Sequence, residues 1–305
     1  MLRLYVEQMD AADKMKAQCA LWLLQLLALP PLRVLYAIST VMAWVLRVVV
    51  RYRRKVVRRN LERALPEVGK ERLREIELQF YIHLCDVFFE AIKMLYISMD
   101  ELRRRVEFTN APLMADLASR GNSVILYLGH YGNWEWLQLI GDHVPLPKSH
   151  KMEVYRPMHY DWIDFVVRHI RDRFDTTLVA QDAVVRQALG FHHAGEPFAC
   201  AFINDQRPNS YNLRHWAEFL HQDTAISTGG ERIGRKVGAT FVYVDVEKVD
   251  RGRYRVTYVP MEDDGRENSY SLQFLGLMET TIRRAPQYWL WSHDRWRFTR
   301  DRQHD

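Results

Sequence analysis

A histidine and a carboxylate five residues apart can supply a general base and its orienting partner. The 305-residue chain has two such pairs, His130–Glu135 and His159–Asp164. A carboxylate against one ring nitrogen fixes the imidazole tautomer and raises the basicity of the other nitrogen. With twelve histidines and about one residue in eight acidic, chance alone supplies one or two such spacings, so context must separate them. His159 begins in a polar, helix-like stretch with no strand before it. His130 directly follows Ser123–Leu128 (SVILYL), which reads as a buried strand, and lies in the turn Gly129-His130-Tyr131-Gly132-Asn133-Trp134-Glu135. The two glycines permit a tight backbone, and Asn133 is a good helix N-cap. Glu135 would then sit in the first helical turn, facing back towards His130. These features make His130 the expected base and Glu135 its partner.

A nucleophile is missing. There is no G-x-S-x-G elbow, no P-loop and no H-E-x-x-H helix, and no cysteine has an evident histidine partner. A base at His130 would therefore activate a hydroxyl on a bound substrate. Other polar residues stand at strand ends, where ligands bind in α/β sheets. Arg156 lies in Tyr155-Arg156-Pro157, and Asp205-Gln206 follows the strand FACAFI. Arg168, Arg171 and Arg173 share one helix and its end; they read as a solvated face or a docking patch for an acidic partner. Near the C-terminus, QYWLWSHDRWR carries three tryptophans, which suggest packing or an interfacial anchor, and His293 there reads as structural.

The elements that position these residues alternate. Helical spacing runs from Glu71 to Ser98, through Leu73, Ile76, Phe80, Leu84, Val87, Phe88, Ile92 and Leu95, and reads as a core-packing stripe. Strands are expected at 123–128, 151–155, 198–203, 239–247 and 254–259, the last two joined near Asp250-Arg251-Gly252. Helices are expected at 133–140, 162–174 and 270–284. This pattern predicts an α/β fold, a mixed sheet flanked by helices.

The N-terminal part differs. Leu21–Leu32 and Val34–Leu46 are the most apolar stretches, divided by Pro30, Pro31 and Arg33. Neither reaches the roughly 20 apolar residues of a spanning helix, but joined they could make a kinked span or a re-entrant hairpin. Arg47–Arg63 then carries eight basic residues and one acid, the pattern met where a helix reaches an anionic lipid surface. Residues 1–65 are therefore expected to be a membrane-associated helical segment, and residues 66–305 an α/β domain.

Composition narrows the classes. Nearly half the residues are apolar and the net charge is +5, which excludes a disordered chain and gives no argument for nucleic acid. Cys19, Cys85 and Cys200 are odd in number and widely spaced, which argues against a disulfide framework or a cysteine-built zinc site.

Together these residues resemble the lysophospholipid acyltransferase superfamily, and within it the late acyltransferases of lipid A biosynthesis. The H-x-G-N-W-E box matches at His130, Gly132, Asn133, Trp134 and Glu135. Arg51–Glu67 resembles the membrane-proximal stretch, Tyr155-Arg156-Pro157 the second block and Asp205-Gln206 the D-Q block. Pro286–Trp296 resembles the P-x-x-W-x-W-x-H-x-x-W ending. The chain departs from the family at Glu218–Thr224, in the strand from Ala239, which lacks a proline, and at Asp294, where a basic residue is common. The first two departures would fall near the acyl or acceptor site.

The resemblance implies a fold like the glycerol-phosphate acyltransferases. It implies transfer of a fatty acyl chain from acyl carrier protein to a hydroxyl of a lipid A precursor, at the cytoplasmic face of the bacterial inner membrane. Attack would be direct, without an acyl-enzyme, a metal or a further cofactor. His130 and Glu135 would be catalytic, and Gly132, Asn133, Arg156, Asp205 and Gln206 would bind substrate. Backbone N–H groups near Gly132–Asn133, or Arg156, would hold the oxyanion, and Arg156 could instead hold an acceptor phosphate. Another lipid acceptor, a non-catalytic membrane adaptor on the same fold, or thioester hydrolysis are the competing readings.

Overall fold

A computed structural model describes residues 9–209 and 213–300. Helix α1 (Ala11–Ala28) opens on Asp10, whose carboxylate accepts from the Asp13 N–H. After Pro30-Pro31 comes α2 (Leu32–Trp44), which runs on as a π-helical turn, Val45–Val49. Helices α3 (Arg54–Ala64), α4 (Lys70–Lys93) and α5 (Met99–Arg105) follow. The body then alternates: β1 (Val106–Phe108), α6 (Pro112–Ser119), β2 (Val124–Leu128), β3 (Lys151–Tyr155), α7 (Asp161–Arg171), β4 (Thr177–Ala180), α8 (Val184–Ala194) and β5 (Ala199–Ile203). A hairpin of β6 (Trp216–Phe219) and β7 (Gln222–Ala225) leads to α9 (Gly229–Val237), β8 (Thr240–Asp250), β9 (Arg253–Met261) and α10 (Ser269–Arg284).

The expected mixed α/β sheet forms. Its seven strands lie in the order β1-β9-β8-β2-β5-β3-β4. Strands β8, β2, β5, β3 and β4 run one way; β9 and β1 run the other. Every residue of β2 is buried, as a central strand covered on both faces requires. Because β2, β5 and β3 are parallel, the residues that follow them, His130, Asp205 and Arg156, share one edge of the sheet.

The helix expected at 133–140 is instead a 3-10 segment, Trp136–His143. The apolar stripe expected on α4 is incomplete as a description of its buried surface. Glu77, His83, Asp86 and Glu90 are buried on this helix while Phe88 is half exposed. Strand β4, helices α6, α8 and α9 and the β6–β7 hairpin were not signalled by periodicity, because each is short and only partly buried.

Residues from Leu32 to Leu65 join the same core as the sheet. Helix α2 is docked on α4 by polar bonds: the Tyr36 hydroxyl donates to Glu90 at 2.7 Å, and the Ser39 hydroxyl to Asp86 at 2.5 Å. Leu32–Val49 is the one helix among the described residues long and apolar enough to cross a membrane. Its outer face is bare, with Val41 64% and Trp44 57% exposed, and Trp22 of α1 is 64% exposed. Five of the eight basic residues of the cluster are engaged within the fold, while Arg51, Lys55 and Arg63 are exposed. Arg47, Arg54 and Arg58 converge on the buried Glu77 at 2.9–3.3 Å, Arg53 donates to the Ser292 carbonyl, and Arg59 pairs with Asp294. The acid that stands where a basic residue is common is thus held in an ion pair by Arg59.

Candidate active site

His130 ends the first turn after β2, and two glycines shape that turn. A Cβ on Gly129 would lie 2.5 Å from the Met278 sulfur, and Gly132 has a φ of +60° with a Cβ position 2.8 Å from Val246. The C-terminal segment clamps the turn from the other side. The Gly132 N–H donates to the Tyr288 carbonyl at 3.0 Å, and the Leu290 N–H to the His130 carbonyl at 3.1 Å.

The imidazole partner is Asp205, not Glu135. His130 Nδ1 lies 2.7 Å from Asp205 Oδ1; the His130 N–H donates to Asp205 Oδ2 at 2.9 Å, and the Trp289 indole N–H donates to the same oxygen at 2.7 Å. The Asp205 side chain is 2% exposed, that of His130 19%. Burial alone would raise the Asp205 pKa. The His130 imidazole and the three hydrogen bonds outweigh it and hold the carboxyl below its usual range. An ionised Asp205 keeps the proton on Nδ1 and the lone pair on Nε2. The Gln206 amide, 3.2 Å from Nε2, fits as the donor to that lone pair. The three tryptophans near the C-terminus pack beneath this pair: Trp289 meets Trp291 and Trp296 edge-on.

Glu135 is instead held by Arg171 of α7, with two bonds of 2.7 and 3.1 Å. The five-residue spacing does not bring the two together, because the chain reaches Glu135 through a turn capped by Asn133 and a bidentate guanidinium holds its carboxylate. Asn133 Oδ1 accepts from the Glu135 and Trp136 N–H groups at 3.0 and 3.1 Å. The Gly132 N–H is occupied, so it is not an oxyanion donor in this geometry. The Asn133 and Trp134 N–H groups have no acceptor among the described residues.

The arginines of α7 and of the residues just after it are not an open docking patch. Arg168 bonds Asp164 and the Tyr155 hydroxyl, Arg171 bonds Glu135, and Arg173 donates to the Met94 and Ile97 carbonyls. Arg156 is exposed at the end of β3, with no side-chain partner among the described residues. His293 is half-buried, and burial pushes its pKa down to about 4, so it is neutral. Arg295 is 2% exposed with no side-chain hydrogen bond among the described residues. Burial lowers its pKa to about 10, and the Asp205 charge opposes that shift.

An apolar cavity opens beside Trp134, whose ring lies edge-on to the His130 imidazole at 5.3 Å. Leu128, Leu137, Ile140, Ala199, Ala201 and Ile203 line it. Its floor is open because β5 presents alanines where larger residues would fill the space. Pairing puts Leu126, Ala201 and Glu153 in one row across the sheet. Burial pushes the Glu153 carboxyl up to about 7 while Arg171 draws it back. None of Glu218–Thr224 lines this cavity. That departure forms the β6–β7 hairpin, whose turn residues Leu220 and His221 both take positive φ.

Neither Arg171 nor Trp289 was marked as a site residue by the sequence, since each reaches the site from a distant element. The family model described as bacterial lipid A biosynthesis acyltransferase matches residues 13–298. Comparison with curated proteins gives no match.

Proposed function

The chain belongs to the bacterial lipid A biosynthesis acyltransferase family, and from that premise we propose that it transfers a fatty acyl chain from acyl carrier protein to a hydroxyl of a lipid A precursor. The observation that carries the mechanism is the pairing of a partly open His130 with a buried, ionised Asp205 beside an apolar cavity. In the proposed step the acceptor hydroxyl replaces the Gln206 amide at Nε2. Nε2 takes its proton as the oxygen attacks the thioester carbonyl carbon. The Asn133 and Trp134 N–H groups are the proposed donors to the oxyanion. Collapse breaks the C–S bond, and the Nε2 proton passes to the leaving thiolate. No metal and no acyl-enzyme enter this step. Glu135 fixes Arg171 beside the cavity, and Arg156 is the proposed contact for an acceptor phosphate.

The acyl chain is assigned to the apolar cavity. Ala201→Leu should fill its floor and leave the His130–Asp205 pair untouched. The longest accepted chain should lose kcat/KM by about 10–200-fold, with shorter thioesters little affected. A competition assay with thioesters of graded length checks this, and an unchanged length profile would refute the assignment.

The lipid acceptor requires a membrane seat, proposed at the cytoplasmic face of the inner membrane. The outer face of α1 and α2 supplies it. The inner face of α2 bonds buried carboxylates on α4, so the helix is proposed to lie in the interface rather than cross the bilayer. Trp22→Glu with Val41→Glu should weaken vesicle partitioning at least tenfold, since each apolar side chain buried is worth ~1.5–3 kcal/mol. Co-sedimentation with anionic vesicles reads this; unchanged binding would refute the seat.

The function itself is tested with detergent-purified protein, acyl carrier protein thioesters and a tetraacylated lipid A precursor. Added acyl mass matched by released carrier thiol supports it. Transfer only to another lipid would move the acceptor. Free fatty acid alone would indicate hydrolysis, and intact thioesters with every acceptor would favour an adaptor.

A further inference from the structure

We propose that Glu90 is a positioning residue for the turn that carries His130, and that it ties that turn to the lipid-facing helix α2. The catalytic half of this inference rests on the acyl-transfer reading above. Glu90 is fully buried on α4 and bonds neither His130 nor Asp205. Its Oε2 accepts from Asn133 Nδ2 at 2.6 Å and from the Tyr254 hydroxyl at 2.8 Å; its Oε1 accepts from the Tyr36 hydroxyl at 2.7 Å. Its main-chain carbonyl accepts from the Trp136 indole N–H at 3.2 Å.

A buried carboxylate is costly, and a leucine would fill much of the volume without that cost. Burial pushes the Glu90 pKa up, and the Lys248 charge and the Tyr36 and Tyr254 hydroxyls draw it back. What the carboxylate adds is direction, because both of its oxygens accept: one from Tyr36, the other from Asn133 and Tyr254. Asn133 must turn its NH2 to Glu90, and its Oδ1 is thereby turned to the Glu135 and Trp136 N–H groups. A flipped amide would set oxygen against carboxylate and NH2 against two N–H donors. Glu90 therefore selects the Asn133 orientation that caps the turn, and the cap fixes where Glu135 and the Trp134 N–H point. Two turns earlier on the same face of α4, His83 Nε2 bonds the Gly132 carbonyl at 3.1 Å, so this helix holds the turn at two places. Tyr36 brings α2 onto the same carboxylate, so a shift of the lipid-facing helix is felt at the cap.

A swap of donor and acceptor tests the idea. Asn133→Asp sets a second acceptor against Glu90. Glu90→Gln in the same chain restores a donor. The glutamine NH2 then donates to one oxygen of the introduced aspartate and to the Tyr254 oxygen, whose hydroxyl must turn to accept, and the glutamine oxygen accepts from Tyr36. The other aspartate oxygen still caps the turn. Hydrogen exchange of the peptide 129–137 is measured by mass spectrometry, together with kcat and KM, in the wild type, both single variants and the double. Asn133→Asp should speed exchange at Glu135 and Trp136 by about tenfold or more. It should lower kcat by about tenfold or more, with KM for the thioester changed less than about twofold. The double variant should recover most of both losses. Exchange losses that add in the double variant would overturn the proposal, and recovery of exchange without kcat would overturn its catalytic half. If Asn133→Asp does not fold, Tyr36→Phe carries the test: exchange in the same peptide should rise by about threefold, and no change would overturn the proposal. A folded wild type with no acyl transfer would defeat the functional reading, while the exchange data would still decide the role of Glu90.

Discussion

Asp205→Asn is expected to lower kcat by about three to four orders of magnitude, the size of loss seen when a histidine base is held in the wrong tautomer. Three donors meet this carboxylate: Nδ1–H on one oxygen, and the His130 N–H and Trp289 indole N–H on the other. An asparagine has one acceptor and one NH2. If its oxygen stays on Nδ1–H, its NH2 opposes two donors. If the oxygen turns to those two donors, the NH2 faces Nδ1, which must then give up its proton. The second arrangement costs less and moves the proton to Nε2, where it removes the base.

The pH dependence has a fixed sign. The folded pKa of Asp205 lies below its unfolded value of about 3.9, so the carboxylate stabilises the fold above that pH. This stabilisation is lost as pH falls through the folded pKa. The acid limb of activity therefore does not belong to Asp205. The melting-temperature gap between wild type and Asp205→Asn should be fully present at neutral pH and shrink below about pH 4. Turnover of the variant within tenfold of wild type would remove Asp205 from the mechanism.

The centre of the sheet was readable because SVILYL and FACAFI, at β2 and β5, are nearly continuous apolar runs followed by polar residues. KMEVY, at β3, alternates polar and apolar residues, and the residues after all three strands share one edge. His130 and Asp205 were both visible as strand-end residues, 75 positions apart. Their pairing was not, since neighbouring parallel strands bring them together and nothing local records which strands neighbour. The H-x4-E spacing favoured Glu135 because a helix was expected from Asn133, whereas Asn133 caps a 3-10 segment and Arg171 arrives from α7. On α4, hydrophobic periodicity concealed the buried acids. Glu77, Asp86 and Glu90 are inside because arginines, tyrosines and Asn133 from other elements reach them, and those partners are legible only in three dimensions.

His130→Ala is expected to abolish transfer, a loss of about 10²–10⁴ from the base alone and more where the leaving thiolate also depends on it. The fold should survive, because Asp205 keeps the main-chain N–H of residue 130 and the Trp289 indole after the imidazole is gone. What disappears is the ring between Asp205 and Gln206, leaving a ring-sized gap at a site that is partly open to solvent. Added imidazole can enter that gap, donate to Asp205 from one nitrogen and present the other to the acceptor hydroxyl. Activity of His130→Ala should therefore rise with imidazole and saturate, while N-methylimidazole, which cannot donate to Asp205 and act as base together, should do little. Asp205→Asn combined with His130→Ala should lose the rescue, since the orienting carboxylate is absent. Near-normal turnover of His130→Ala without imidazole would defeat the mechanism. Rescue that survives Asp205→Asn would keep His130 as the base and dismiss Asp205 as its orienting partner.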